Sequence, residues 1–179
     1  MELTTSRMLF HPVTTTDIPA IHRLHSMPET DEYNTLGIPA SVSVTADVVE
    51  GWLKDPDHKV WRITLKNTRA FIGLIGMVFK TPRFSSAEIW YKLDVAWWGQ
   101  GLATEAVSSI LQYAFEELQL HRIEAGCAVD NTGSARVLEK CGMRQEGRKR
   151  KVLPIRGSWS DNFMYAILEE DYQQEKRGR

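Results

Sequence analysis

Two glycines stand directly before a long amphipathic helix in residues 97–106, WWGQGLATEA. Apolar residues between Ala103 and Phe115 recur at the spacing of one helical face, which predicts the helix. Gly99 and Gly101 carry no Cβ, so the backbone there can approach a ligand closely. The first amides of a helix lack partners within it, and with the helix dipole they attract anions. The stretch therefore predicts an anion site, with pyrophosphate as the natural guest; the structural alternative is a tight turn that binds nothing.

Two familiar phosphate loops fit this stretch poorly. A P-loop needs a lysine followed by serine or threonine after its last glycine, where this chain has Leu102 and Ala103. The dinucleotide fingerprint needs three spaced glycines, and only two are present. An ATP-binding phosphate-loop protein is therefore a disfavoured reading, and the stretch alone indicates only some phosphate.

Size and composition point to an ordinary globular protein. The 179 residues suit one domain spanning 1–179, with 42% hydrophobic and 25% charged residues. The net charge of -1 gives no field for nucleic acid or a membrane, apart from the basic run at 148–151. Cys127 and Cys141 suggest neither a disulfide framework nor a metal site, which favours a cytoplasmic protein without metal. The sequence shows neither a signal peptide nor an apolar run long enough to span a membrane.

The pattern of apolar residues predicts a mixed α/β (α+β) sheet packed against helices, in the order βααβββαβαββ. Asp17 and Thr45 are the expected N-caps of the first two helices, Gly142 ends the last helix, and segment 28–44 reads as irregular. The predicted strands are 7–13, 58–66, 70–80, 85–95, 121–129, 143–153 and 160–170, and the predicted helices lie within 14–26, 45–55, 102–115 and 131–142.

The order and spacing of several motifs resemble the GNAT superfamily of acetyl-CoA-dependent N-acetyltransferases. WGQGLATEA is followed by NTGS and then EKCGM, which is most similar to the branch of the ribosomal-protein alanine N-acetyltransferases and spermidine acetyltransferase. The resemblance runs from SRMLFHPV to GSWSDNFMYAIL, nearly the whole chain. It implies a mostly antiparallel sheet that splays at a central strand pair, EIWYKLDV (88–95) and EAGCAV (124–129), with pantetheine in the gap.

The resemblance also implies which residues contact acetyl-CoA. Backbone groups after the upstream strand would pair with pantetheine, the glycine loop would hold the pyrophosphate, and the NTGS turn would line the thioester end. The expected cofactor-binding residues are Leu93, Asp94, Val95, Gly99, Gln100, Gly101, Leu102, Ala103, Thr104, Asn131 and Ser134.

The catalytic residues are less directly implied, because the chain departs from the family pattern. Trp98 stands where the family often has Arg or Gln, and Leu138 stands where many members carry a tyrosine acid. Ser134 becomes the candidate acid for the leaving thiolate, or else only caps its helix. Glu88 is the candidate base, or else an exposed strand carboxylate. The expected acceptor-site residues are Tyr33, Trp90, Asp161 and Asn162.

The expected activity is transfer of an acetyl group to a primary amine by direct attack in a ternary complex. The acceptor is a protein N-terminus or a small amine, with a polyamine or an antibiotic as alternatives. Segments 26–45 and 147–162 are expected to shape the acceptor site and carry no recognisable code. A catalytically silent acyl-CoA-binding module is the competing class, and a homodimer is a further expectation.

Overall fold

The computed structural model describes residues 3–177, so the outermost residues of the predicted 1–179 domain lie outside the described part. These described residues form eight strands and six α-helices. The strands are β1 (Leu3–Thr4), β2 (Met8–Pro12), β3 (His58–Leu65), β4 (Phe71–Phe79), β5 (Ser86–Leu93), β6 (Arg122–Ala128), β7 (Arg144–Ile155) and β8 (Ser158–Leu168). The helices are α1 (Ile18–His25), α2 (Pro28–Asp31), α3 (Val42–Lys54), α4 (Leu102–Gln112), α5 (Thr132–Lys140) and α6 (Glu169–Arg177).

One eight-stranded sheet contains all of these strands, in the order β1-β2-β3-β4-β5-β6-β8-β7. Every neighbouring pair is antiparallel except β5 and β6, which are parallel. The parallel pairing runs only from Ser86–Arg122 to Ile89–Ala125, although both strands continue beyond it. The carboxyl ends of β5 and β6 therefore separate, which confirms the predicted sheet with a splayed central pair.

The sheet is covered by helices on both faces, and each face has its own apolar cluster. Helices α4 and α5 contribute Val107, Ile110 and Leu138 to the larger cluster, which also contains Ile89 and Leu93 of β5. Helices α1 and α3 contribute Ile21, Leu24 and Val49 to the smaller cluster, against which Trp90 packs. Because side chains alternate along a strand, β5 presents successive residues to opposite faces at the point where the sheet opens.

Helix α3 begins earlier than the sequence indicated. The expected N-cap, Thr45, lies inside the helix with 1% of its surface exposed, and Ser41 occupies the N-cap position. The Thr45 hydroxyl lies 2.8 Å from Nδ1 of His22 and ties α3 to α1. The alternating Ser-Val-Ser-Val run at 41–44 disguised the first turn, because its valines remain exposed and show no helical periodicity.

The end of the chain also differs from expectation. The last strand was expected to extend to Glu170, but it ends at Leu168 and α6 follows. Three acidic residues, Glu169 to Asp171, form the first turn of α6, where negative charge is favoured by the helix dipole. Segment 28–44, expected to be irregular, contains the short helix α2 and the start of α3. None of the described helices has the length and apolar character needed to cross a bilayer.

Candidate active site

The gap between β5 and β6 opens at the carboxyl ends of the sheet's parallel pair. In open α/β sheets, ligands bind outside the carboxyl ends of strands where the direction of winding changes. The chain leaves β5 at Leu93, passes through a 3₁₀ turn (Val95–Trp97) and the glycine loop, and enters α4 at Leu102. The glycine loop and the amino terminus of α4 therefore lie at the mouth of the gap.

Both glycines of the loop adopt backbone conformations that disfavour side chains. Gly99 has φ = 72° and Gly101 has φ = 74°, in the left-handed region. A Cβ placed on Gly99 would meet no described atom within 4 Å, so the space outside the loop is open. Gly101 is the N-cap of α4, and no described side chain caps this helix end. The first-turn amides of α4 therefore face open space at the positive end of the helix dipole.

Arg7 braces the glycine loop from the start of β2. Its Nε donates to Glu105 Oε2 at 2.6 Å, and its Nη1 donates to the Gln100 carbonyl at 2.9 Å. Burial tends to raise the pKa of Glu105, but hydrogen bonds from Thr5, Arg7 and Ser6 outweigh it and lower the pKa to about 2. Glu105 on α4 is thus ionised and holds Arg7 in place. Arg7 in turn links the glycine loop to the start of β2.

The end of β5 offers one backbone edge to the gap. The Asp94 amide donates to the Ile72 carbonyl of β4 at 2.9 Å, so alternation along the strand turns Leu93 toward β6. The Leu93 carbonyl accepts from the indole nitrogen of Trp98 at 2.8 Å. The Asp94 carboxylate accepts from the Ala96 amide at 3.0 Å and caps the 3₁₀ turn. The Leu93 amide is therefore the donor of this segment that faces the gap, while Asp94 is engaged inside the protein and Val95 is exposed.

The NTGS turn lies on the other side of the gap and begins α5. Asn131 is the N-cap, and its Oδ1 accepts from the Ser134 amide at 3.0 Å. The Ser134 hydroxyl lies 2.7 Å from the hydroxyl of Tyr91. Tyr91 lies on β5 beyond Ile89, the last residue of that strand paired with β6. The two hydroxyls therefore link β5 to the first turn of α5. Burial raises the pKa of Tyr91, although its hydrogen bond with Ser134 acts in the opposite direction.

Two further residues on this face are packing groups. Leu138, at the position of the family tyrosine, is fully buried in the core between the sheet and α5. Cys127 on β6 is 6% exposed, and burial raises its pKa to about 11. A thiol with so high a pKa is a poor nucleophile at neutral pH.

The candidate base and acid lie on opposite faces of the sheet. Glu88 is exposed within the paired part of β5, next to Glu124 of β6. Strand alternation places Glu88 with Trp90 on the face toward α1 and α3, whereas Tyr91 and Ser134 lie toward α5. The structure therefore does not bring Glu88 and Ser134 together.

The residues expected to contact the acceptor have different surroundings. Trp90 donates its indole N–H to Nε2 of His58 at 2.9 Å and packs against Trp52 with ring centroids 5.3 Å apart. Asn162 of β8 lies over Gly126 of β6, at the edge of the gap.

The other two expected acceptor residues lie farther toward the β7–β8 hairpin and the loop after α2. The Asp161 carboxylate is engaged within the hairpin, where it accepts from Arg148 Nε at 2.7 Å and the Lys151 amide at 2.9 Å. Tyr33 is half-buried after α2; burial first, and then the Glu32 carboxylate, raise its pKa.

Three polar side chains with buried polar atoms lie on the face of the sheet toward α1 and α3, and the sequence analysis did not single them out. His25 ends α1, Asp31 ends α2, and Lys92 lies on β5 next to Leu93. The Lys92 side chain alternates with those of Tyr91 and Leu93 and so points toward α1. Burial lowers the pKa of Lys92 to about 8, against the opposing effect of Asp31. Burial, followed by the charges of Lys92 and His22, lowers the pKa of His25 to about 4.

The sequence profile of the acetyltransferase (GNAT) domain matches residues 7–144. The chain belongs to the GNAT family. It is 40% identical over 151 residues to the probable N-acetyltransferase YjcK of Bacillus subtilis (strain 168), covering 83% of this chain and 81% of that protein. These matches confirm the predicted family and acyltransferase class.

More distant GNAT proteins bear on the predicted branch. The [ribosomal protein uS5]-alanine N-acetyltransferase of Escherichia coli (strain K12) is 29% identical over 89 residues, 50% of this chain and 46% of that protein. A crystal structure of spermidine N-acetyltransferase from Vibrio cholerae in complex with CoA and spermine has a TM-score of 0.85 at 22% identity, covering 94% of this chain and 99% of that chain. The first match supports the predicted branch as a partial, distant likeness, and the second shows the shared fold.

Several residues of this GNAT site escaped the sequence reasoning. Arg7 belongs to no recognisable motif, and residues 100 and 105, which it contacts, are far from it in the sequence. Tyr91 and Lys92 stood in a stretch read only for its backbone, although strand alternation alone assigns them to opposite faces. His25 ends α1, and its burial depends on how α1 docks on the sheet.

Proposed function

We propose that the chain transfers the acetyl group of acetyl-CoA to a primary amine by direct attack within a ternary complex. The observation that carries this proposal is the gap between the separated ends of β5 and β6, with an uncapped helix terminus and two left-handed glycines at its mouth. Family membership supplies the acetyl-transfer chemistry. The proposal treats residues 1–179 as one domain of a cytoplasmic protein, and it includes the expected homodimer.

The pyrophosphate of acetyl-CoA would lie at the glycine loop. The amides of Gly99, Gln100, Gly101, Leu102 and Ala103, with the Thr104 hydroxyl, would be its donors. Open space beside Gly99 and the uncapped amino terminus of α4 support this assignment. Arg7 holds the Gln100 carbonyl and so keeps the loop in shape.

The pantetheine arm would occupy the gap between β5 and β6. Backbone groups of Leu93, Asp94 and Val95 would pair with it, and the orientation of the Leu93 amide toward the gap supports this assignment. Because one N–H makes one strong hydrogen bond, the Leu93 amide would bind the thioester oxygen at the reacting end of the arm, where it would stabilise the negative charge that develops. Asn131 and Ser134 would line the far wall, where Asn131 also holds the turn in place.

Acetyl transfer needs a neutral amine, and the leaving sulfur must end as a thiol. The amine nitrogen attacks the thioester carbon, the C–S bond breaks, the amine loses a proton and the sulfur gains one. An α-amino group has a pKa of about 7.7–8.0 and a lysine-like amine about 10.4, so an α-amino group needs less help at neutral pH. Glu88 on the acceptor face would take the proton through water, and Ser134 would donate a hydrogen bond to the sulfur from the opposite face.

The proposal specifies the acceptor only by its chemical class. A protein N-terminus or a small amine is the favoured acceptor, with a polyamine or an antibiotic as alternatives. Trp90, Tyr33, Asp161 and Asn162 would line the site, with Trp90 and Asn162 nearest the gap.

Thiol release from acetyl-CoA, measured with a panel of N-terminal peptides, amino acid amides, polyamines and aminoglycosides, tests the proposal. Release that depends on an amine supports it. Calorimetric binding of acetyl-CoA without turnover of any amine would instead favour the catalytically silent acyl-CoA-binding module. Burst kinetics with an isolable acetyl-enzyme would contradict direct attack.

A further inference from the structure

Three polar atoms on the acceptor face are buried without a hydrogen-bond partner among the described residues: Nδ1 of His25, Oδ1 of Asp31 and Nζ of Lys92. His25 is 2% exposed and Asp31 is 5% exposed. They come from three different elements, α1, α2 and β5, and they lie near one another, since the charge of Lys92 affects the pKa of His25 and the charge of Asp31 affects the pKa of Lys92. The great majority of buried polar groups in proteins have partners, so three orphaned atoms in one cluster indicate a site for a missing polar guest.

The three atoms have complementary hydrogen-bonding characters. The Lys92 ammonium only donates, the Asp31 carboxylate only accepts, and the neutral imidazole of His25 can donate from Nδ1. Leaving a charged donor buried and unpaired is costly, and pairing it with a guest oxygen removes that cost. A guest that fits must therefore offer an oxygen acceptor to Lys92 and His25, and an N–H donor to Asp31.

The position of Lys92 relates this cluster to the acetyl-transfer site. Lys92 immediately precedes Leu93, whose amide faces the gap, and its side chain leaves the strand on the face opposite Tyr91. On that face the indole rings of Trp52 and Trp90 pack beside His25, with centroids of His25 and Trp52 6.1 Å apart. Because these atoms are buried, an acceptor entering from this side would contact Lys92 and Asp31 once the side chains that cover them move aside.

We propose that His25, Asp31 and Lys92 form a subsite for an α-amino carbonyl group, which makes the acceptor an amine whose neighbouring carbon carries a carbonyl or carboxylate oxygen. Asp31 accepts from the amine N–H and orients it, while Lys92 and His25 hold the oxygen. This inference rests on the proposed acetyltransferase function and narrows its acceptor. Free amino acids and peptide N-termini share this chemistry, whereas polyamines lack the oxygen.

The charge around the subsite also disfavours polyamines. Arg156, at the tip of the β7–β8 hairpin, lies with its Nε 3.7 Å from Oδ2 of Asp31, and its Nη2 donates to the Pro28 carbonyl at 2.8 Å. Two cations, Arg156 and Lys92, thus face a single carboxylate, Asp31. A polycation entering this cluster meets net repulsion, whereas a zwitterion or a neutral peptide end does not.

The test compares kcat/KM for L-alaninamide with kcat/KM for isopropylamine, a similar amine that lacks the carbonyl group. It is run on the wild type, on Lys92→Met, and on Lys54→Met as an exposed-lysine control, since Lys54 pairs only with Glu50 on the surface of α3. Taking the ratio of the two substrates within each protein and comparing it between proteins cancels the different basicity of the two amines. L-alanine, an alanine-initiated tripeptide and spermidine extend the panel and separate the amino acid, peptide and polyamine sources.

The expected result is that Lys92→Met lowers the alaninamide-to-isopropylamine ratio about tenfold or more, the size of a hydrogen bond to a charged group. Lys54→Met should leave the ratio unchanged. Asp31→Asn removes the acceptor for the amine N–H that both substrates share, so it should lower kcat/KM for both amines, with little change in their ratio and none in acetyl-CoA affinity. Equal loss on both amines in Lys92→Met, or a wild type that turns over spermidine best, overturns the subsite but leaves the acetyltransferase function intact.

Absence of turnover with every amine would instead count against the proposed function. Calorimetry on the CoA-saturated protein then decides the subsite separately. Alaninamide binding that Lys92→Met weakens supports it. Binding that is absent, or equal in both proteins, overturns it.

Discussion

The hydroxyl groups of Tyr91 on β5 and Ser134 on α5 lie 2.7 Å apart, just beyond the point where β5 and β6 stop pairing. The Ser134 carbonyl, 3.3 Å from the Tyr91 hydroxyl, is a second acceptor within reach of the single Tyr91 proton. Leu138 fills the position of the family tyrosine and has no polar group. The pair therefore provides hydroxyl groups on the face of the sheet covered by α5, although the tyrosine comes from a different element.

Tyr91→Phe should lower kcat while changing the acetyl-CoA dissociation constant less than threefold, because Tyr91 orients Ser134 and does not hold the pyrophosphate. Loss of one such hydrogen bond corresponds to about 1 kcal/mol, or roughly fivefold in rate. Ser134→Ala should have a similar effect, and the double variant should be little worse than either single one because the two groups act together. Strict additivity of the two effects would show that they act independently. Tyr165→Phe, which removes a hydroxyl bonded to Glu139, is the matched control.

Local patterns in the sequence predicted the path of the backbone at this site but not the side chains that meet there. Strand, glycine turn and helix follow one another within residues 85–115, so periodicity and glycine placement were sufficient to find them. The Tyr91–Ser134 contact joins residues 43 positions apart, one on β5 and one on α5. Whether the serine meets the tyrosine depends on how α5 packs against the sheet, which leaves no periodic signal in one sequence.

Buried polar residues were the hardest to predict from the sequence. Lysine side chains are usually exposed, so a sequence reading assigns Lys92 to solvent, whereas histidine is intermediate and residue type alone does not predict the burial of His25. Their burial follows from the docking of α1 and α2 against β5, a tertiary relationship. Similarly, Thr45 was read as a cap because threonine favours that position, yet packing against His22 places it inside α3.

The glycine loop provides a test of anion binding that separates charge from backbone strain. Gly101→Asn and Gly101→Asp place side chains of nearly equal size at φ = 74°, a conformation that both residue types tolerate better than most. Both should lose up to about 1 kcal/mol of stability relative to glycine. Only Asp should weaken acetyl-CoA binding by roughly tenfold or more beyond Asn, because its charge repels the pyrophosphate. Calorimetry measures both affinities, and equal affinities would contradict the pyrophosphate assignment.

The Arg7–Glu105 brace should contribute stability that depends on pH. The pKa of Glu105 is lowered to about 2 by hydrogen bonds that outweigh its burial, from an ordinary value of 4.5. A carboxyl with a depressed folded-state pKa stabilises the fold above its unfolded value, and this stability is lost as the pH falls from about 4.5 toward 2. Glu105→Gln should reduce the loss of unfolding free energy over that pH range by about 1 kcal/mol, after allowance for solvent screening. Urea titrations at a series of pH values measure this, with the exposed Glu117→Gln as control; parallel curves for wild type and Glu105→Gln would argue against the brace.

His25 should destabilise the fold in a higher pH range than Glu105. Burial first, and then the positive charges of Lys92 and His22, lower its pKa from 6.5 to about 4. Between these two values the unfolded chain binds a proton that the folded chain does not, so stability falls as the pH drops from 6.5 to 4. The shift corresponds to at most about 3 kcal/mol. His25→Gln, which cannot ionise, should show a shallower loss of stability in urea titrations across this range, whereas the exposed His121→Gln should follow the wild type. If His25→Gln lost stability as steeply as the wild type between pH 6.5 and 4, His25 would not be the buried neutral group that sets this dependence.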